Sequence, residues 1–103
     1  MIRQPFREGL QRAGEVMSGP SLMSAADTAM YVCVLAHIGP QVMAVTVDMN
    51  LQFLRPAAKG DLFAEASVLK LGRRRAALRV MVRDHLGNDA CHVTGTYAWP
   101  TPL

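Results

Sequence analysis

Asp27 is the residue whose position asks for a chemical explanation. It lies inside GPSLMSAADTAMYVCVLAHIG, residues 19–39, a stretch with no Lys or Arg to pair with it. An unpaired carboxylate taken into apolar surroundings is costly unless hydrogen bonds or a task compensate. Two explanations stand side by side. Asp27 is either a buried acid satisfied by hydrogen bonds, with a structural role only, or a carboxylate held for reaction, since isolated ionisable groups of this kind tend to mark functional sites.

A second constellation is basic: Lys70, Arg73, Arg74 and Arg75 crowd six positions. Such a cluster is either a solvated turn or a landing site for phosphate. The remaining candidate ligands do not assemble. Cys33 and Cys91 are the only cysteines. They form no CxxC pair and lie in apolar runs, which reads as two buried free thiols of an intracellular protein. His37 falls at a helix C-terminus, a favourable place for the dipole. His85 falls in a turn and His92 in a strand beside Cys91. No spacing of His, Cys and acids suggests a metal site, and no Gly-rich phosphate loop is present.

The elements that must position these residues follow from the pattern. Ser18 or Gly19 can cap a helix, and Pro20 suits its first position. That helix runs to about His37 and stops at Gly39-Pro40. It is apolar nearly all round, so it is wrapped by other elements. After Pro40 the period changes to two. Val45, Val47, Met49, Leu51 and Phe53 alternate with Thr46, Asp48, Asn50 and Gln52, which predicts a long strand with one buried face. Asp48 and Asn50 fall on its polar side, facing solvent or a subunit contact. Strands follow at 62–71, 75–83 and 90–99, with a tight turn at Gly72 and a hairpin at DHLGND. Residues 2–7 predict a short strand pushed to a sheet edge by Pro5, and REGLQRAGE reads as a polar loop. The order is an α+β layer with an antiparallel sheet. A single sheet leaves part of the helix wet, and a second subunit would cover it.

The chain has 103 residues, half of them hydrophobic, and a net charge of +3. This bounds it to one domain, residues 1–103, with a modest core. The opening MIRQPFREGLQ has no apolar signal core. Residues 20–38 are barely long enough for a membrane span, and an Asp near mid-span costs about 2.5–3.5 kcal/mol. The expectation is therefore a cytoplasmic protein with no membrane partner.

The segments SGPSLMSAADTAMY, VTVDMNLQFLRP, AAKGDL and KLGRRRA together resemble the hotdog-fold acyl-CoA thioesterases of the phenylacetate-pathway (PaaI-like) type. The resemblance covers about residues 10 to 99. It implies a hotdog fold, a long antiparallel sheet wrapped around a central helix, in a homodimer or a dimer of dimers. Family members are usually longer at the N-terminus. By this resemblance Asp27 is the acid that attacks the thioester or activates water. The Gly19 N–H holds the thioester oxygen, as a helix N-terminus suits an oxyanion, and Thr46 supports the acid. The substrate brings coenzyme A, with no separate cofactor. Arg55, Lys59, Lys70, Arg73, Arg74 and Arg75 are the candidate partners of its phosphates.

Helix geometry adds a constraint. Gly19 and Asp27 are eight residues apart, about 12 Å along one helix, whereas reacting groups must lie about 3 Å from one carbonyl. The two serve one thioester only if they come from different subunits. The chain departs from the family at the helix start, where His-Gly-Gly is usual and Ser18-Gly19-Pro20 stands here; Pro20 has no N–H to give. Arg12 aligns where Asn or Gln often orients water. An alternative function is therefore a non-catalytic acyl-CoA-binding protein. The dehydratases of this fold need a His at the helix start, which is missing. Nucleic-acid binding through the basic turn lacks an aromatic stacking platform.

Overall fold

Ser18 starts the helix as the sequence predicts. Its backbone is extended, its Oγ accepts from the Ser21 N–H, and Pro20 follows in the first turn. The helix, α1, spans Gly19–Ile38 and ends on Gly39, whose φ of 80° suits glycine and whose N–H donates to the Leu35 carbonyl at 2.9 Å. These features belong to a computed structural model that describes residues 1–5, 11–12, 16–39 and 44–100.

The strands are β1 (Ile2–Gln4), β2 (Gln11–Arg12), β3 (Val16–Met17), β4 (Val45–Phe53), β5 (Leu62–Leu71), β6 (Arg75–Arg83) and β7 (Asp89–Ala98). Five of them form an antiparallel sheet in the order β1-β5-β6-β7-β4. The hairpins β5–β6 and β6–β7 are as expected. β4 pairs with β7 and not with its successor β5, so residues 54–61 carry the chain from one edge of the sheet towards the other. β1 takes the opposite edge, stopping before Pro5; residues 6 and 7 of the expected strand lie outside the described residues. β2, inside the expected polar loop, pairs with β3 just after it as a two-residue ribbon.

The helix lays one side on the sheet, the arrangement of the hotdog fold. Leu22, Ala25, Ala26, Ala29, Met30 and Val34 are buried, meeting Leu62, Ala64, Leu78, Val80, Val82 and Val93 in one core. Small residues on α1 let it sit close. At Gly95 of β7 an added Cβ would lie 2.8 Å from Met30 Sδ and 3.1 Å from the Asp48 carbonyl oxygen, so any larger residue would have to displace the Met30 thioether and press on the β4 backbone. By composition α1 is long and apolar enough to cross a membrane, yet here its buried side packs as the core helix.

Two expectations change. The first concerns burial. Met23 and Val32, on the side of α1 away from the sheet, are exposed, and Cys33 is only half-buried, while Cys91 is in the core. The helix is covered on one side, not all round. Nor is the apolar row of β4 buried: Val45, Val47 and Phe53 are 57%, 48% and 58% exposed. The reason is topological, since β4 is an edge strand at the limit of the helix's cover.

The second concerns which face each β4 residue occupies. The pairing with β7 runs Thr46↔Tyr97 and then Asp48↔Thr96, a bulge that leaves Val47 as the extra residue. A bulge inverts the alternation beyond it. Tyr97, Gly95, Val93 and Cys91 all face the helix side, so their partners Thr46, Met49, Leu51 and Phe53 do too. Strict alternation had put Thr46 on the opposite face from Met49.

Candidate active site

Asp27 lies at the flank of the buried stripe of α1, half-exposed, and it is not unpaired. Thr46 Oγ1 donates to its Oδ1 at 2.9 Å. The Tyr97 hydroxyl donates to the same Oδ1 at 2.7 Å and to the Asp27 main-chain carbonyl at 3.2 Å. The β4 bulge is what brings Thr46 to this side. Tyr97 is 2% exposed, and its ring lies 6.2 Å from that of Tyr31, centroid to centroid. Burial pushes the Tyr97 phenol up to about 12; a Thr46 hydrogen bond opposes the shift and the Asp27 carboxylate adds to it. The phenol therefore keeps its proton and acts as a donor at neutral pH. Tyr97 carried no signal in the sequence beyond closing the last strand; only the Thr46↔Tyr97 register reveals it.

Met23, Ser24, Asp27, Thr46 and Met49 line an open groove of about 360 Å³. Gly19 lies elsewhere. It lines a cavity of about 510 Å³ with Val16, Met17, Leu22, Phe53 and residues 54–57. Among the described residues no acceptor engages the Gly19 N–H. Ser18 Oγ takes the Ser21 amide and the Ser18 carbonyl takes the Leu22 amide, while Pro20 has none to give. Ser18 thus serves as the helix cap, and Gly19 keeps a free donor at the positive end of the dipole. The two cavities share no residue within one chain.

The basic residues divide in the same way. Arg55 lines the Gly19 cavity and Lys59 follows in the same loop. Lys70, Arg73, Arg74 and Arg75 stand at the β5–β6 turn, beside the Asp27 end of the sheet, because Arg75 pairs with Ala98 next to Tyr97. Phe53 pairs with Cys91, so seven residues of β7 separate the two ends, roughly 23 Å at the usual rise. The six cations are therefore not brought together by one chain. Among the described residues Arg55, Lys70, Arg73, Arg74 and Arg75 have no carboxylate partner. The turn itself is fixed by the Gly72 N–H donating to the Arg75 carbonyl at 2.7 Å and by Trp99, whose indole N–H donates to the Arg73 carbonyl at 3.0 Å.

Residues 14–91 match the family model of the thioesterase superfamily. The chain belongs to that superfamily. A relative from Thermoplasma acidophilum, named "Putative esterase Ta0293", is 30% identical over 96 residues, covering 93% of this chain and 72% of its own. Among solved structures, the BH2602 protein of Bacillus halodurans, crystallised with CoA, aligns with a TM-score of 0.84 and 25% identity over 93% of this chain and 68% of that one. A mutant of the phenylacetic acid degradation protein PaaI from Thermus thermophilus aligns with a TM-score of 0.81 and 26% identity, over 95% of this chain and 82% of that one. Membership of this superfamily supports thioester hydrolysis as the general chemistry of the fold found here.

Proposed function

We propose that the protein hydrolyses acyl-CoA thioesters to free acid and CoA at sites shared between two copies of the chain. The observation that carries this reading is the division of the machinery. Asp27 with its donors lines one cavity, and the free Gly19 N–H lines another at the opposite end of the sheet. Each is half of a thioesterase site. A second copy running antiparallel along the β4 edge would set the Gly19 end of one copy against the Asp27 end of the other. That edge has unpaired backbone groups and the exposed Val45, Val47 and Phe53, which a partner strand would cover. The same arrangement would bring Arg55 and Lys59 of one copy towards the β5–β6 turn of the other, assembling the phosphate partners that one chain keeps apart.

In the assembled site the Gly19 N–H polarises the thioester carbonyl and takes the developing oxyanion. Asp27 then acts by one of two routes. As nucleophile, a carboxylate oxygen bonds to the carbonyl carbon, the C–S bond breaks, and CoA leaves as thiolate; water hydrolyses the resulting anhydride. As general base, Asp27 takes a proton from water as the hydroxide adds, and the thiolate leaves with that proton. Neither route draws on a metal or a further cofactor. The BH2602 structure, described with CoA, supports the choice of ligand class. The same reading assigns the protein to the cytoplasm, a compartment that keeps thiols such as Cys33 and Cys91 reduced.

The test is hydrolysis of a panel of aromatic and aliphatic acyl-CoA thioesters, read as free thiol. Wild type releases CoA, and Asp27→Asn and Gly19→Pro each lose activity. Mixing the two inactive variants restores it, because a hybrid pair carries one site with both groups intact. No hydrolysis with any thioester, or unchanged hydrolysis by Asp27→Asn, defeats the enzyme reading. Failure of mixing to restore activity, with hybrids formed, defeats the shared site. The rival reading, an acyl-CoA binder without catalysis, draws on Pro20, which leaves Gly19 alone as donor; it predicts binding with no thiol release.

A further inference from the structure

We propose that Tyr97 is a positioning residue for Asp27: with Thr46 it engages one carboxylate oxygen, Oδ1, and so reserves Oδ2 for the reaction. The inference rests on the reading of Asp27 as the reacting acid. Both donors converge on Oδ1, at 2.7 Å from the Tyr97 hydroxyl and 2.9 Å from Thr46 Oγ1. Among the described residues no donor reaches Oδ2. A carboxylate bound equally at both oxygens would spend its lone pairs on the protein; one bound at a single oxygen is held yet still basic at the other.

The two donors are not equivalent. Thr46 lines the groove and is exposed to whatever enters it. Tyr97 is buried, does not line the groove, and reaches Asp27 from behind. Its hydroxyl contacts both the side chain and the main-chain carbonyl of Asp27, tying the carboxylate to its own helix backbone and fixing the side-chain torsions between them. The ring is buried beside Tyr31, on β7 between β6 and β4 near the end of the sheet, which restricts its movement. With its proton retained at neutral pH, the phenol has only one thing to offer a carboxylate, which is a hydrogen bond. Because Tyr97 touches no substrate, removing its hydroxyl should alter turnover and leave substrate binding alone.

Tyr97→Phe removes the hydroxyl and keeps the ring. With the thioester that wild type hydrolyses best, kcat is expected to fall about 10- to 100-fold with KM within about twofold, the pattern of a lost orientation for the transition state. The thermal midpoint is followed alongside. A kcat equal to wild type overturns the inference, as does a loss carried by KM or explained by an unfolded fraction. Should Tyr97→Phe fail to fold, Tyr97→Trp and Tyr97→Leu, neither of which can donate at that point, are read for the same split. Asp27→Asn separates the two levels: if it is inactive while folded Tyr97→Phe is fully active, only the role of Tyr97 falls; if Asp27→Asn is fully active, the reading of Asp27 falls and this inference with it.

Discussion

Asp84→Ala should loosen the wall of the Gly19 cavity, and the structure sets the size of the effect. Asp84 sits at the β6–β7 turn and is 2% exposed. Its Oδ1 accepts from the Leu86 and Asn88 amides, each at 3.0 Å, and its Oδ2 from the Ala58 amide at 3.1 Å and Asn88 Nδ2 at 3.4 Å. The Ala58 bond ties the segment after β4 to this turn. That segment in turn holds the approach to α1, because the Ala57 carbonyl accepts from Met17 at 3.0 Å. Removing the carboxylate strands the half-buried Ala58 amide, whereas the exposed Leu86 and Asn88 regain water. At about 1.5–3 kcal/mol for a hydrogen bond to a charged group, discounted for the exposed donors, the loss comes to about 2–4 kcal/mol. For a domain of this size that lowers the thermal midpoint by roughly 10–20 °C, read by circular dichroism at fixed protein concentration. The pH dependence is a second check. Burial alone would raise the Asp84 pKa, but the amides of Ala58, Asn88 and Leu86 and the Asn88 side chain outweigh it and hold the carboxyl below its ordinary value. The stabilisation is thus complete above the unfolded-state pKa of about 3.9 and is lost as pH falls through the lower folded value. The gap between wild type and Asp84→Ala should close in acid. A midpoint shift below about 3 °C at neutral pH, or a gap that widens in acid, would refute the account.

Three further outcomes follow from packing and charge. Gly95→Ala drives a methyl into Met30 Sδ and the Asp48 carbonyl and is expected to cost about 1–3 kcal/mol, read by urea unfolding; a neutral change would mean that helix and sheet are less tightly apposed. Val47→Asp places a charge on the exposed β4 edge, and sedimentation should show the copies separating while hydrolysis disappears; a monomer with full activity would sink the shared site. Arg55→Ala and Arg74→Ala, at opposite ends of the sheet, should both raise KM for acyl-CoA with kcat little changed, and added salt should reduce the difference from wild type; a change in kcat alone would remove them from the phosphate contacts.

Much of the fold was legible because local signals agreed with the tertiary outcome. Ser18, Pro20 and Gly39 bound the helix where the structure has it, and the alternation of Ala76, Leu78, Val80 and Val82 against Arg79 and Arg83 gave β6 its faces. What stayed hidden was pairing at a distance. Nothing local says that β4 joins β7 at the sheet edge, so its apolar row looked buried when it is half bare. Val45 and Phe53 stand at opposite ends of that strand and, across the bulge, on opposite faces, so bare apolar side chains mark both ends of an edge whose free backbone groups invite pairing.

The site was legible to the same degree and for the same reason. A lone Asp27 in an apolar helix is a local oddity that any reader of the chain can find; its partners are not local at all. Thr46 belongs to the polar half of a perfectly alternating strand, and on that pattern it faces away from the other inward residues of β4. The extra residue at Val47 reverses this, delivering the Thr46 hydroxyl to the carboxylate opposite Tyr97. Had β4 alternated without interruption from Thr46 to Phe53, Met49, Leu51 and Phe53 could face the helix only by turning Thr46 outwards, and Asp27 would keep a single side-chain donor. One inserted residue therefore reconciles two demands on one strand, an apolar face towards the core and a hydroxyl at the acid, and it does so on the open edge of the sheet.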